Sequence, residues 1–153
     1  MKKFAIVLVL ILLCCAVLAL GACGDKQQKD GEIRITIGDK SFIAELTNAK
    51  AAKELEKWLP QTFEMHFNNS GILYAYTANK TFTEQPDSSL PMYKGDIILR
   101  GNNRLEIYYG FNQPESLTRI GSIKEEYIDS FVEAVKQATA AADGGTITVK
   151  ISK

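Results

Sequence analysis

Hydrophobicity that alternates at every second residue, over stretches of strand length, recurs along most of this chain. Glu32 to Ile37 reads "EIRITI", with Ile33, Ile35 and Ile37 on one side and Arg34 and Thr36 on the other. After a Gly38-Asp39-Lys40 turn, Ser41 to Leu46 repeats the pattern through Phe42, Ala44 and Leu46, which predicts a hairpin. Thr62 to Phe67, Ile72 to Tyr76, Asp96 to Arg100, Arg104 to Tyr109 and Thr146 to Ile151 read as further strands, with Thr118 to Ile123 a weaker one. Gly101-Asn102-Asn103 joins two of them through residues that tolerate positive φ. About seven short strands of this kind need a closed sheet, or two packed ones, to hide their apolar faces and their edges.

Two segments change period. Ala49 to Leu59 places Ala52, Leu55, Trp58 and Leu59 on one helical face, with Thr47 and Asn48 ahead of it as amide acceptors and Pro60 behind it as a stop. Later, Ile128, Phe131, Val132, Val135 and Ala138 share a face. Ser122 with Glu125 predicts a capping box at the start of that helix, and Gly144-Gly145 predicts its end near Asp143. Between the two, Thr77 to Tyr93 is mostly polar, holds Pro86 and Pro91 and follows no period. Loops of that length inside a small domain are often functional.

The first residues are a different kind of sequence. Lys2 and Lys3 precede an uncharged apolar run from Phe4 to Leu20, the order of a secretory signal. The run closes on Leu20-Gly21-Ala22-Cys23, which resembles the bacterial lipobox, whose cysteine thiol carries a diacylglycerol thioether. That resemblance implies a signal peptide over 1–22 and lipidation of Cys23. The alternative is an uncleaved anchor, since the run approaches the ~20 residues that span a bilayer. Both put the remainder on the extracytoplasmic face of the cell membrane, because a lysine pair favours the inner side. Residues 23–31, which include "GDKQQKDG", have nothing apolar to bury past the cysteine and read as a flexible tether. Cys14 and Cys15 lie inside the apolar run, so a lipidated Cys23 leaves the mature chain no free thiol for a disulfide or a nucleophile.

Residues 32–153 are enough for one domain with a single core. Without Lys2 and Lys3, the 18 basic residues become 16 against 18 acids, a net charge of −2 that argues against a nucleic-acid partner.

The hairpin "EIRITIGDKSFIAEL", the helix ending "WLP", the segment "YKGDIILRGNNRLEIYYG" and "TRIGSI" together resemble the bacterial cyclophilin-like domain family. The resemblance spans nearly all of 32–151. It implies a mainly β fold, a small antiparallel β-barrel with two helices. Cyclophilins proper isomerise peptidyl-proline bonds with an arginine beside an apolar pocket. None of Arg34, Arg100, Arg104 and Arg119 stands in the sequence context of that arginine, so the resemblance transfers the barrel and not the active site.

His66 is the single histidine, and alternation puts it with Thr62 and Glu64 on a polar side, as a surface residue. With one histidine and no free thiol, no metal site and no cofactor is expected. No phosphate loop, nucleophile elbow or calcium-loop spacing occurs. What remains is an aromatic and polar surface. Tyr108 alternates away from Leu105, Ile107 and Tyr109, which places it outside, near Tyr76, Phe111 and Arg119. Tyrosine and arginine combine contact area with hydrogen bonding in binding patches. The competing assignment puts these aromatics in the core, Tyr109 and Phe111 first. The leading expectation is a lipid-anchored, non-enzymatic module that binds a peptide or small ligand through the Thr77 to Tyr93 loop. A divergent peptidyl-prolyl isomerase and a structural envelope component are the alternatives.

Overall fold

The computed structural model describes residues 29–87, 90–143 and 145–153. The apolar leader, Cys23 and the tether up to residue 28 lie outside the described residues.

Alternation resolves into a ring. The strands are β1 (Glu32–Ile37), β2 (Lys40–Leu46), β3 (Gln61–Phe67), β4 (Ile72–Tyr76), β5 (Leu90–Met92), β6 (Asp96–Arg100), β7 (Arg104–Tyr108), β8 (Asn112–Glu115), β9 (Thr118–Ile123) and β10 (Thr146–Ser152). Eight of them close an antiparallel barrel in the order β1-β10-β3-β4-β7-β6-β9-β2, and β5 and β8 form a separate two-stranded ribbon. Closure removes the unpaired edges that an open sheet of such strands would expose. It also gives each strand one face toward a common interior. Ile33, Ile35 and Ile37 from β1 meet Phe63 and Met65 from β3, Leu105 and Ile107 from β7, and Ile147, Val149 and Ile151 from β10 there.

The helices finish that interior. Helix α1 (Lys50–Trp58) contributes Ala51, Ala52 and Leu55, and α2 (Ile128–Ala141) contributes Phe131, Val132, Ala134 and Val135. Their side chains join the interior cluster while the outer faces of β1 and β10 stay open, so they enter through the ends of the ring and not across its wall. Helix α1 starts just past the Leu46 end of β2. Helix α2 lies by the other end, where Lys40 Nζ donates to Gln137 at 3.1 Å and the Phe131 ring stands edge-on to Phe42 at 5.5 Å.

Both helix starts differ from the sequence expectation. Ser122 makes no capping box. It is held in β9, which continues through the Ala44↔Ile123 pairing, and the helical turn Glu125–Tyr127 begins only after Lys124. At α1, Thr47 Oγ1 accepts from the amide of Ala49 at 3.3 Å, but the first helical amide, that of Lys50, donates to Gln85 Oε1 at 2.8 Å. An acceptor 35 residues away in sequence does the capping. Two strands were not expected at all, β5 inside the long loop and β8 just after Phe111.

Candidate binding cleft and its polar surround

The ribbon changes the meaning of the barrel's outer face. Ile98 and Tyr108 point away from the interior, yet with Ile72, Met92 and Leu117 they form a second buried cluster between wall and ribbon. Tyr108 is therefore a correction to the sequence reading. Alternation gave its direction, outward from the ring, but the outward side is covered there and Tyr108 is 0 % exposed. Burial, and next the charge of Glu106, push its hydroxyl up to a pKa of about 12.

Beside Tyr108 lies the most confined charge in the described residues. The Glu106 carboxylate is fully buried on the outer face of β7 and accepts from Arg100 Nε at 2.8 Å and from the Tyr108 hydroxyl at 3.0 Å. Arg104 Nε lies 2.9 Å from the same carboxylate, a charge contact whose N–H is not directed at the oxygen. Arg100 also donates to Glu115 of β8 at 2.6 Å, and the two carboxylates, Glu115 first, raise its pKa further. Arg104 spreads over the Tyr74 ring at 4.2 Å, and Tyr74 stacks on His66 at 5.3 Å. Arg104, Glu106 and Tyr108 are spaced at i, i+2 and i+4, and Arg100 pairs across the hairpin with Arg104. Those spacings were a readable signal for a charged cluster on one face, which the sequence reading passed over.

The other expected surface residues do not form one patch. Tyr76 is exposed on β4, edge-on to Tyr74. Arg119 stands on β9, separated from β4 in the ring by β7 and β6. Phe111 lies beyond β7, 68 % exposed, edge-on to Tyr93 and beneath Lys94. Its assignment to the core fails because the chain turns off the barrel at Gly110, while Tyr109 stays half-buried and donates its hydroxyl to the Asn68 carbonyl at 2.8 Å.

The long loop is stitched down through Thr83, Gln85 and Asp87. Thr83 donates its amide (2.8 Å) and hydroxyl (2.9 Å) to Glu54 of α1, the amide of Gln85 donates to Thr118 Oγ1, and the amide of Asp87 donates to the Leu117 carbonyl. Phe82 is buried edge-on to Trp58. The bonds from Thr83, amide first, hold the Glu54 carboxyl below its ordinary value of 4.5. Its contribution is thus complete above 4.5 and is lost as the pH falls through the lowered value. A carboxyl-detected NMR titration should place Glu54 below 4.5 and return it toward 4.5 in Thr83→Val. A midpoint unmoved by that substitution would show that the Thr83 hydroxyl adds nothing to the shift and leave the amide as its cause.

Stitched in this way, the loop forms one wall of an open depression of about 510 Å³, lined by Thr47, Asn48, Ala49, Gln85, Asp87 and Arg119. Arg119 is fixed by Nη2, which reaches the Pro91 carbonyl (3.0 Å) and Asp96 Oδ2 (3.1 Å). Burial raises the Asp96 carboxyl above its usual range, against the opposing pull of the Tyr93 amide and Arg119. Among the described residues nothing accepts from Arg119 Nη1, and neither the Asn48 amide nor the Asp87 carboxylate has a partner. Of the arginines on the barrel strands, Arg100 and Arg104 are held by Glu106 and Arg34 lies on the open outer face of β1. Arg119 alone borders this depression.

A closed eight-stranded barrel, two helices at its ends and a polar cleft against the wall define a small cyclophilin-type β-barrel protein. The sequence pattern of the Cyclophilin-like family matches residues 35–152, and the chain belongs to that family. No curated protein matches the sequence. Among solved structures, one described as McbB in complex with tryptophan is similar, with a TM-score of 0.58 and 20 % identity over 79 % of this chain. The match spans 44 % of that protein's chain, and at this identity it speaks for the fold alone.

Proposed function

We propose that this protein is a lipid-anchored extracytoplasmic binding module whose cleft takes a peptide or a small ligand carrying both a carbonyl or carboxylate oxygen and an N–H group. The observation that carries the reading is that one depression is lined by three residues with unengaged polar groups: Arg119 as donor, Asp87 as acceptor and Asn48 as either. Such a set fixes the orientation of a polar ligand, which is what the few polar groups of a binding site supply. The anchor rests on the sequence: the lysine pair, the apolar run and Cys23. A peptide and amino-acid panel, read by calorimetry, should yield a ligand whose affinity falls roughly 10- to 100-fold in Arg119→Ala, the range for a hydrogen bond to a charged group. Asp87→Asn should weaken it too. Unchanged affinity in both variants would move the site elsewhere. Cells fed labelled palmitate should label the wild type and not Cys23→Ala, and an unlabelled, uncleaved wild-type chain would remove the anchor from the proposal.

A further inference from the structure

One face of α1 carries an unbalanced charge. Of the nine residues in α1, the exposed ones are Lys50, Lys53 and Lys57. Their i, i+3, i+7 spacing puts all three ammonium groups on one helical face. None of them is in an ion pair among the described residues. Of the two acids in the same helix, Glu54 bonds to Thr83 and is felt at longer range by Lys50, and Glu56 lies 3.6 Å from Lys153, so three lysines stand against one acid not paired elsewhere. The face therefore keeps its positive surplus.

Helix α1 also lies at the end at which the chain enters. The Gly31 carbonyl accepts from Leu46 at 2.7 Å, and Asp30 and Gly31 share the walls of one depression of about 270 Å³ with Lys53 and Glu56. Cys23 is six residues before Lys29, so at ~3.3 to 3.6 Å per residue it lies no more than about 20 Å from it. In the tether, Asp25 and Asp30 offset Lys26 and Lys29, which leaves α1 as the source of net positive charge beside the entry point.

We propose that the lysine face of α1 rests on anionic lipid headgroups, so that the barrel sits with its α1 end against the bilayer. The orientation rests on the anchor at Cys23 proposed above; the lipid contact does not. Each lysine brought to an anionic surface contributes on the order of a few-fold in affinity, so three together give roughly 100-fold. Screening within a Debye length of about 10 Å makes the effect sensitive to salt.

The described residues close their own ring and core, so a chain starting at residue 24 is a suitable probe. In sedimentation with phosphatidylglycerol vesicles at low salt it should bind roughly 100-fold better than to phosphatidylcholine, and lose that preference in K50Q/K53Q/K57Q and at high salt. The set K40Q/K136Q/K150Q, which is exposed elsewhere, should bind as wild type. Circular dichroism of each variant checks that the barrel is intact. Equal binding to the two lipids, no binding to phosphatidylglycerol, or an equal loss in both lysine sets would each overturn the proposal. An unlabelled Cys23 alongside intact vesicle binding would overturn the anchor and leave the lipid contact standing.

Discussion

Replacing Glu106 with alanine should destabilise the protein by about 3 kcal/mol, the low end for removing one partner of a buried ion cluster, and lower its thermal midpoint by roughly 10 °C. The carboxylate is wholly buried and answers two guanidinium groups and the Tyr108 hydroxyl. Without it, Arg104 loses its counter-charge, Arg100 keeps only Glu115, and a phenol loses its acceptor. The low end applies because the Arg100 and Arg104 side chains keep 32 % and 24 % exposure, so water screens part of the charge left uncompensated. Glu106→Gln, which keeps an acceptor for Tyr108, should cost less. Chemical denaturation followed by circular dichroism measures both. A loss below about 1 kcal/mol for Glu106→Ala would show that the cluster is no stronger than a surface pair.

The second large effect belongs to Gly71. Its φ is +81°, and a Cβ there would stand 2.5 Å from the Gly110 Cα and 2.7 Å from the Gly110 nitrogen. Both contacts are backbone, and the strands holding them are tied together, since the Gly71 carbonyl accepts from the amides of Tyr109 (2.7 Å) and Gly110 (2.9 Å). Neither side can step back without breaking those bonds. Gly71→Ala thus adds a clash of 1 to 3 kcal/mol to a left-handed penalty of 1 to 2, about 3 kcal/mol in all. Gly101 makes the control. It has φ +62° with nothing within 4 Å of the added atom, so Gly101→Ala should carry the conformational penalty alone, about 1 to 2 kcal/mol. Equal losses at the two positions would mean that the close approach of Gly71 to Gly110 contributes nothing.

What the sequence disclosed and what it hid follow from the range of the forces involved. Alternation in "EIRITI" or "TITVKI" is a local record of a wall with one dry face; "ILYAY" and "DIILR" lack it and were legible as short apolar runs bounded by turns. The helices showed through their period. Strands β5, "LPM", and β8, "NQPE", are short, contain proline and line no interior, so nothing local marks them. Because they were invisible, so was the cover they place on the outer wall, and Tyr108 was assigned to water. The charged face of Arg104, Glu106 and Tyr108 was legible in its spacing, but its burial and the Glu115 contact, which need β8, were hidden with the ribbon. Arg119 and the long loop were singled out in sequence, and they do border one depression, but the partners that complete it, Thr47, Asn48 and Ala49, come from the approach to α1. The link is the Gln85 bond to the Lys50 amide, a contact no periodicity encodes.

The seams of the ring join its most distant staves. Strand β1 pairs with β10 and β2 with β9, so segments near the two extremes of the domain are hydrogen-bonded neighbours. No early part of the polypeptide can bury its isoleucines by itself, and ordering must wait until Thr146 to Ser152 is free to dock. Such non-local closure puts folding in the slow class, milliseconds to seconds. For a chain exported as proposed here, that delay has a use: the polypeptide stays threadable during passage and becomes a rigid body only after its rear strand has emerged.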